Sequence, residues 1–316
     1  MGLIDVNELE GLGPVFRGKC GNAFARLLMR MLSVDRINDL YDRHLDVAGP
    51  EFAREVLADI GMKYRIGFGH DAPSGDDSLE ILDRMLPEGP FITVSNHPCG
   101  HVDGIALVDI FGHVRPGYKV MVNSMLSRIA PMGPSFISVT PTGERRTAPT
   151  AASIAGVKAA LAQLRSGRAL GLFPSGAVSD LSLTERRIRD REWQDAVVRL
   201  IMKARVPVLP VRFFDGNSAF YYSLGLISWK VRLLRLPAEV FNKEERPMRI
   251  GIGPLLSVAA QDAVLASSRL HPAESDDIHP DRHVPDASND AAAVSAFREF
   301  LRSQVYGMSA SGMSWR

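Results

Sequence analysis

Phe91-Ile92-Thr93-Val94-Ser95 runs directly into Asn96-His97-Pro98-Cys99-Gly100-His101-Val102-Asp103-Gly104. The first five residues are apolar or β-branched almost without a break, as in a strand covered on both faces. The polar, Gly-rich residues that follow lead into an apolar stretch that predicts a helix over 103–111. Strand, loop and helix in that order open a βαβ unit, whose strands lie parallel. The same alternation continues downstream. Strands are predicted at 119–123, 136–140, 169–173, 206–211 and 248–252, with helices at 150–166 and 189–204 among them. The expected fold class is α/β: a central mixed, largely parallel sheet flanked by helices, with an N-terminal helical region.

Upstream, the first 60 or so residues read as helices without strands. Phe24, Leu27, Leu28, Met31 and Leu32 fall at helical spacing, and residues 17–36 hold five basic side chains against Asp35 alone. Such a helix suits an anionic membrane surface or its own domain, and both readings stay open. Further helices are expected at 51–60 and 76–85. Beyond residue 256 comes a polar, acidic loop, then an amphipathic helix over 291–306 with Val294, Phe297 and Leu301 on one face. Residues 309–316 are expected to lack order. The division that results is 1–65 helical, 66–256 α/β core, and 257–316 acidic loop and closing helix.

Composition narrows the function classes. The chain has 316 residues, 46% hydrophobic and 23% charged, enough to bury a core without disulfides or metal. Cys20 and Cys99 form no metal-binding or disulfide pattern. The 37 basic and 36 acidic residues leave +1, which argues against a nucleic-acid binder. That total hides a split: residues 182–249 hold 14 basic and 8 acidic side chains, +6, while residues 262–290 hold 2 and 7, −5. No apolar run reaches the roughly 18 residues of a membrane span, and no secretory signal opens the sequence. A cytoplasmic enzyme, peripheral on the inner face of the cell membrane, is expected.

In open α/β sheets, ligands bind beyond the carboxyl ends of the strands. The loops in question are 96–104, 141–146, 174–179 and 212–217, which parallel strands would bring to one edge. In the first, His97 can serve as a general base near neutral pH, and Asp103 can fix its tautomer. Gly100 and Gly104 give the intervening turn its freedom. From these residues alone, a His–Asp pair and a loop merely filled by His97 and His101 are both open.

Asn96-His97 followed by Asp103 resembles the catalytic motif of the glycerolipid acyltransferases, the 1-acylglycerol-3-phosphate acyltransferase superfamily. Most of that superfamily has four residues between His and Asp; here there are five. The form Asn-His-Pro-x-Gly-x-x-Asp-Gly is similar to a branch labelled hemolysin, which includes lyso-ornithine-type lipid acyltransferases. Phe173-Pro174-Ser175-Gly176 stands in the place of a Phe-Pro-Glu-Gly block, and Val206-Pro207-Val208-Leu209-Pro210-Val211 resembles the closing apolar strand. The stretch 216–222 also resembles the branch.

The resemblance implies transfer of a fatty acyl group from a thioester of acyl carrier protein or coenzyme A to a lysolipid hydroxyl. No metal or bound cofactor is implied. His97 would take the hydroxyl proton and Asp103 would orient His97. Asn96, Arg145, Arg146, Phe173, Pro174, Ser175 and Gly176 are implied as substrate-binding, with backbone donors or the Asn96 amide facing the oxyanion. Two departures matter. Ser175 replaces the superfamily's Glu, and Arg145 and Arg146 come later than its usual Arg. The acceptor therefore stays open between a lyso-amino-lipid and 1-acylglycerol-3-phosphate.

Rival readings are a covalent acyl-enzyme on Cys99, a thioesterase or lipase using water, and a non-enzymatic membrane-active protein. His271, His279 and His283 lie among acids but at no compact ligand spacing, so a solvated loop is the expectation. The charge run 185–192 reads as a solvated helix start or as a contact for the phosphates of an acyl carrier. Aromatic and basic residues over 219–236 suit an interfacial surface, an acyl groove or a core helix.

Overall fold

The computed structural model describes residues 30, 32–69, 72–139, 151–243, 247–270 and 287–316. Two helices, α1 (Val34–Arg43) and α2 (Pro50–Asp59), precede strand β1 (Tyr64–Phe68) and helix α3 (Ser78–Met85). Then come β2 (Ile92–Ser95), α4 (His101–Val114), β3 (Lys119–Asn123) and β4 (Phe136–Val139). Next are α5 (Ala151–Arg165), β5 (Leu170–Leu172), a hairpin of β6 (Asp180–Ser182) and β7 (Arg187–Arg189), and α6 (Asp195–Ala204). The remainder is β8 (Val208–Phe213), short helices α7 (Ala219–Ile227), α8 (Trp229–Leu234) and α9 (Leu236–Phe241), β9 (Met248–Ile252), α10 (Val258–Leu270), α11 (Ala287–Tyr306) and β10 (Ser314–Trp315).

One eight-stranded sheet runs in the order β10-β1-β9-β8-β2-β5-β3-β4. Strand β2 sits between β8 and β5, parallel to both, with Ile92 opposite Val208 and Leu170. All four of its residues are buried, which explains its continuous apolar pattern. From β8 to β4 the strands are parallel; β9 reverses against β8, and β1 runs with β9. Helices cover both faces. Leu209, Val211 and Phe213 join the cluster formed with α2 to α4, while Val208, Ile92 and Val94 join that of α5, α6 and α11. Each such side chain, fully buried, contributes about 1.5–3 kcal/mol. The sheet is mixed and largely parallel, as the sequence led us to expect.

Several elements depart from expectation. Strand β1 was not predicted; its Arg65 is exposed and its Gly67 lacks a side chain, which breaks the apolar run. Strand β8 extends through Arg212 and Phe213, so the loop behind it begins at Phe214. Helix α6 begins at Asp195, and the charge run before it forms the β6–β7 hairpin, with Asp180 opposite Arg189. The final residues are ordered: β10 pairs antiparallel with β1, and the Trp315 ring occupies the space a Cβ on Gly67 would need. The predicted helix around 22–33 lies almost wholly outside the described residues, and Cys20 and the loop 271–286 lie outside them entirely. Among the described residues, no helix is long and apolar enough to cross a membrane.

Candidate active site

The carboxyl end of β2 delivers Asn96 and His97 to the edge where β5 and β8 also end. Gly100 takes φ +74° and ψ −128°, a conformation open to glycine, and becomes the N-cap of α4. That turn places Asp103 at the third helical position. Its Oδ2 accepts the backbone N–H groups of Cys99 (2.8 Å) and Gly100 (3.0 Å), satisfying donors the helix start would otherwise leave orphaned. The same oxygen lies 3.0 Å from His97 Nδ1, with Asp103 wholly buried and His97 17% exposed. The ring and the carboxylate are in contact, although Nδ1 is not aligned for a good hydrogen bond and no other group bonds it. Five intervening residues thus suffice to bring His97 and Asp103 together.

Phe173, at the end of β5, lies against the His97 ring with centroids 4.1 Å apart and planes tilted by 32°. It also lines a mainly apolar cavity of about 70 Å³ with Met121, Val139, Leu172, Gly176 and Gln194. Behind His97 stands a second carboxylate that the sequence reading passed over. Asp190 Oδ1 accepts the His97 backbone N–H (3.0 Å) and the Ser179 hydroxyl (2.5 Å), and its Oδ2 accepts Trp193 Nε1 (3.1 Å). The Ser179 N–H donates to the His97 carbonyl at 2.9 Å, so both ends of the His97 peptide are fixed. Burial pushes the Asp190 carboxyl up, while its three donors pull it back toward the charged form.

A buried Asp holding the turn, a His partly open to solvent and an apolar recess beside it form a constellation for proton transfer at an apolar substrate. A model of the acyltransferase family matches residues 21–270. The chain belongs to that family. It is 25% identical over 238 residues to a lyso-glycine lipid O-acyltransferase of Bacteroides thetaiotaomicron, covering 72% of this chain and 78% of that one. It is 29% identical over 188 residues to the lyso-glycine lipid O-acyltransferase of Phocaeicola vulgatus, covering 56% and 64%. Among solved structures, the 1-acyl-sn-glycerophosphate (LPA) acyltransferase PlsC of Thermotoga maritima aligns over 82% of this chain and 83% of its own. That alignment has 11% identity and a TM-score of 0.36.

Within this acyltransferase the other expected residues take varied places. The Asn96 amide is committed at both ends: Nδ2 donates to Phe213 O (2.9 Å) and Oδ1 accepts from Phe213 N (2.8 Å). It ties the loop to β8. Ser175 is buried, with its hydroxyl donating to Ala177 O at 2.8 Å. Pro174 O accepts the Gln194 N–H, and Gly176 at φ +63° lets Gln194 pass where a Cβ would clash. Arg145 and Arg146 lie outside the described residues. Cys99 is buried with its Sγ directed at Asp215 O (3.5 Å), and burial beside Asp103 pushes its thiol far up. A nucleophilic thiolate needs the opposite environment. His101 shows some surface but is closely packed, and burial together with the charge of His97 pushes it down to about 4.

Two more residues were missed. Asn217 Nδ2 and Tyr222 OH both donate to Pro98 O, at 3.3 and 2.8 Å, so α7 is bolted to the His97 loop. The signal for them was the stretch 216–222, read only as a likeness. Among the described residues there is no group of three or more His, Cys, Asp and Glu placed to hold a metal.

Proposed function

We propose that this acyltransferase moves a fatty acyl group from an acyl thioester to the hydroxyl of a lysolipid, with His97 as general base. The observation that carries this reading is the 3.0 Å approach of His97 Nδ1 to a buried Asp103 already fixed by two backbone donors. With Nδ1 facing the carboxylate, Nε2 is the nitrogen left for the acceptor. The acceptor hydroxyl gives its proton to Nε2 as its oxygen attacks the thioester carbonyl. The tetrahedral intermediate then collapses, the C–S bond breaks, and the proton passes from His97 to the departing thiolate sulfur. Asp103 stabilises the imidazolium formed between these steps. The recess at Phe173 offers apolar walls to the acyl chain.

For the acceptor, the neutral Ser175 and the names of the two relatives favour a lyso-amino-lipid over 1-acylglycerol-3-phosphate. The donor is a thioester of acyl carrier protein or coenzyme A, and the reaction calls for no metal or bound cofactor. The enzyme works peripherally at the inner face of the cell membrane, where its acceptor resides.

His97→Ala should lower the rate of lipid acylation by about 10³-fold, and Asp103→Asn by about 10²-fold or more. The test is initial rates with a labelled acyl thioester and lyso-amino-lipid, alongside circular dichroism to establish folding. A folded His97→Ala protein with more than a tenth of the rate would remove His97 from the mechanism.

A further inference from the structure

Of the twelve large apolar side chains exposed among the described residues, seven fall between Phe220 and Leu234. They belong to the α7–α8 pair, and Ile227 at 81% and Phe220 at 59% exposure stand out farthest, with Trp229 at 54%. The pair is nevertheless rigidly built. Arg232 is buried, ion-paired with Asp180, and donates to Ser179 O at 3.1 Å; Gly225 leaves the space in which its side chain crosses α7. Tyr221 and Tyr222 face inward and are buried, and Tyr222 reaches Pro98 beside His97. One face of this helical pair is thus anchored to the site and the other carries apolar side chains into solvent. Concentrated exposure of this kind marks an interaction surface.

Charge decides the occupant. Residues 219–238 contain no acid; of their three basic residues Arg232 is buried against Asp180 and Arg235 meets the buried Glu239 at 3.5 Å, which leaves Lys230, together with the exposed Arg186 and Arg187 of the adjoining hairpin. The neighbouring β6–β7 hairpin adds exposed Leu183 and Ile188, and residues 182–249 as a whole carry +6. The chain's own residues 17–36 are also basic, and a second copy would present the same positive surface, so either would set like charge on like. An anionic bilayer matches both features, taking apolar side chains below its headgroups and basic ones among them.

We infer that the α7–α8 pair is a membrane-docking element that seats the His97 loop on an anionic phospholipid surface. A lysolipid acceptor resides in that bilayer, so the surface serves the acyl transfer proposed above and rests on that reading for its purpose.

The test is flotation of the full chain with vesicles of phosphatidylglycerol and phosphatidylcholine. The unaltered protein should float with these vesicles, less well with phosphatidylcholine alone. Ile227→Asp/Trp229→Asp should lower the bound fraction about tenfold or more, while Leu45→Asp, exposed outside the pair, should leave it unchanged. In the unaltered protein, vesicles should shift tryptophan emission to the blue, and Trp229→Phe should abolish the shift. Failure of the unaltered protein to float, or equal flotation of the double variant, overturns the inference. So does a halved solution mass in the double variant with flotation unchanged, which would make the surface a contact between copies. Rates with an acceptor dispersed in detergent separate the two proposals. Loss of flotation with acylation retained supports both. Loss of flotation in a protein that acylates no lysolipid upholds the docking surface and removes the lysolipid reading.

Discussion

His97 is held from three directions by groups that do different work. Asp103 faces the ring, Phe173 covers its plane, and Asp190 grips its backbone. The first two were legible in the sequence because each lies in a motif with an apolar strand directly before it. Asp190 was not, since in the string Arg189-Asp190-Arg191-Glu192 nothing separates a buried carboxylate from its solvated neighbours. As a positioning residue it should govern the rate step and leave substrate affinity alone. Asp190→Asn keeps the volume but turns an amide donor toward either Trp193 Nε1 or the His97 and Ser179 donors. The expected result is a fall in kcat of about tenfold with KM for both substrates unchanged. An equal change in KM, or none in kcat, would reduce Asp190 to a structural group. Cys99 gives the opposite expectation. Its thiol is buried and kept protonated, so Cys99→Ala should retain kcat within about twofold. Loss of turnover in a folded protein, with a trapped acyl-cysteine, would restore the covalent route.

At the scale of elements, the central strands were legible because burial on both faces leaves an unbroken apolar run, as in β2 and β8. The edge elements were not. Strand β1 mixes Tyr64 and Arg65 with Ile66, and β10 is two residues long, held by Trp315 over Gly67 and by paired backbone bonds between Ile66 and Arg316. Contacts of that kind join residues some 250 positions apart and leave no local period to read. The turn from β2 into α4 was legible through its glycines. Gly100 has a positive φ, and a Cβ there would approach Leu236 Cδ2 to 3.1 Å and Val178 Cγ2 to 3.2 Å. Gly100→Ala should therefore cost about 1–3 kcal/mol in denaturant unfolding, and acylation should fall with it because the same turn carries Asp103. Unchanged stability would mean that the turn accepts a side chain and is not what holds the pair.

For the molecule as a whole, the sheet order concentrates chemistry at one edge. Parallel β8, β2 and β5 end together, bringing the 96–104, 174–179 and 214–218 loops into contact through hydrogen bonds such as Ser179 to His97 and Asn217 to Pro98. That convergence was expected from alternation alone, whereas the reversal at β9 was not, because a buried strand reads the same in either direction. The near-zero net charge was similarly uninformative until divided along the chain, when the basic portion proved to include the α7–α8 surface beside the site.

The central claim is acyl transfer from a thioester to a lysolipid hydroxyl through His97. It is tested most directly by product analysis of the purified protein with a labelled acyl thioester and lyso-amino-lipid, compared with His97→Ala. The account predicts an acylated lipid formed in step with free thiol, little free fatty acid, and near-complete loss of that lipid in the variant. Free fatty acid as the main product, or acylated lipid formed equally by folded His97→Ala protein, would contradict it.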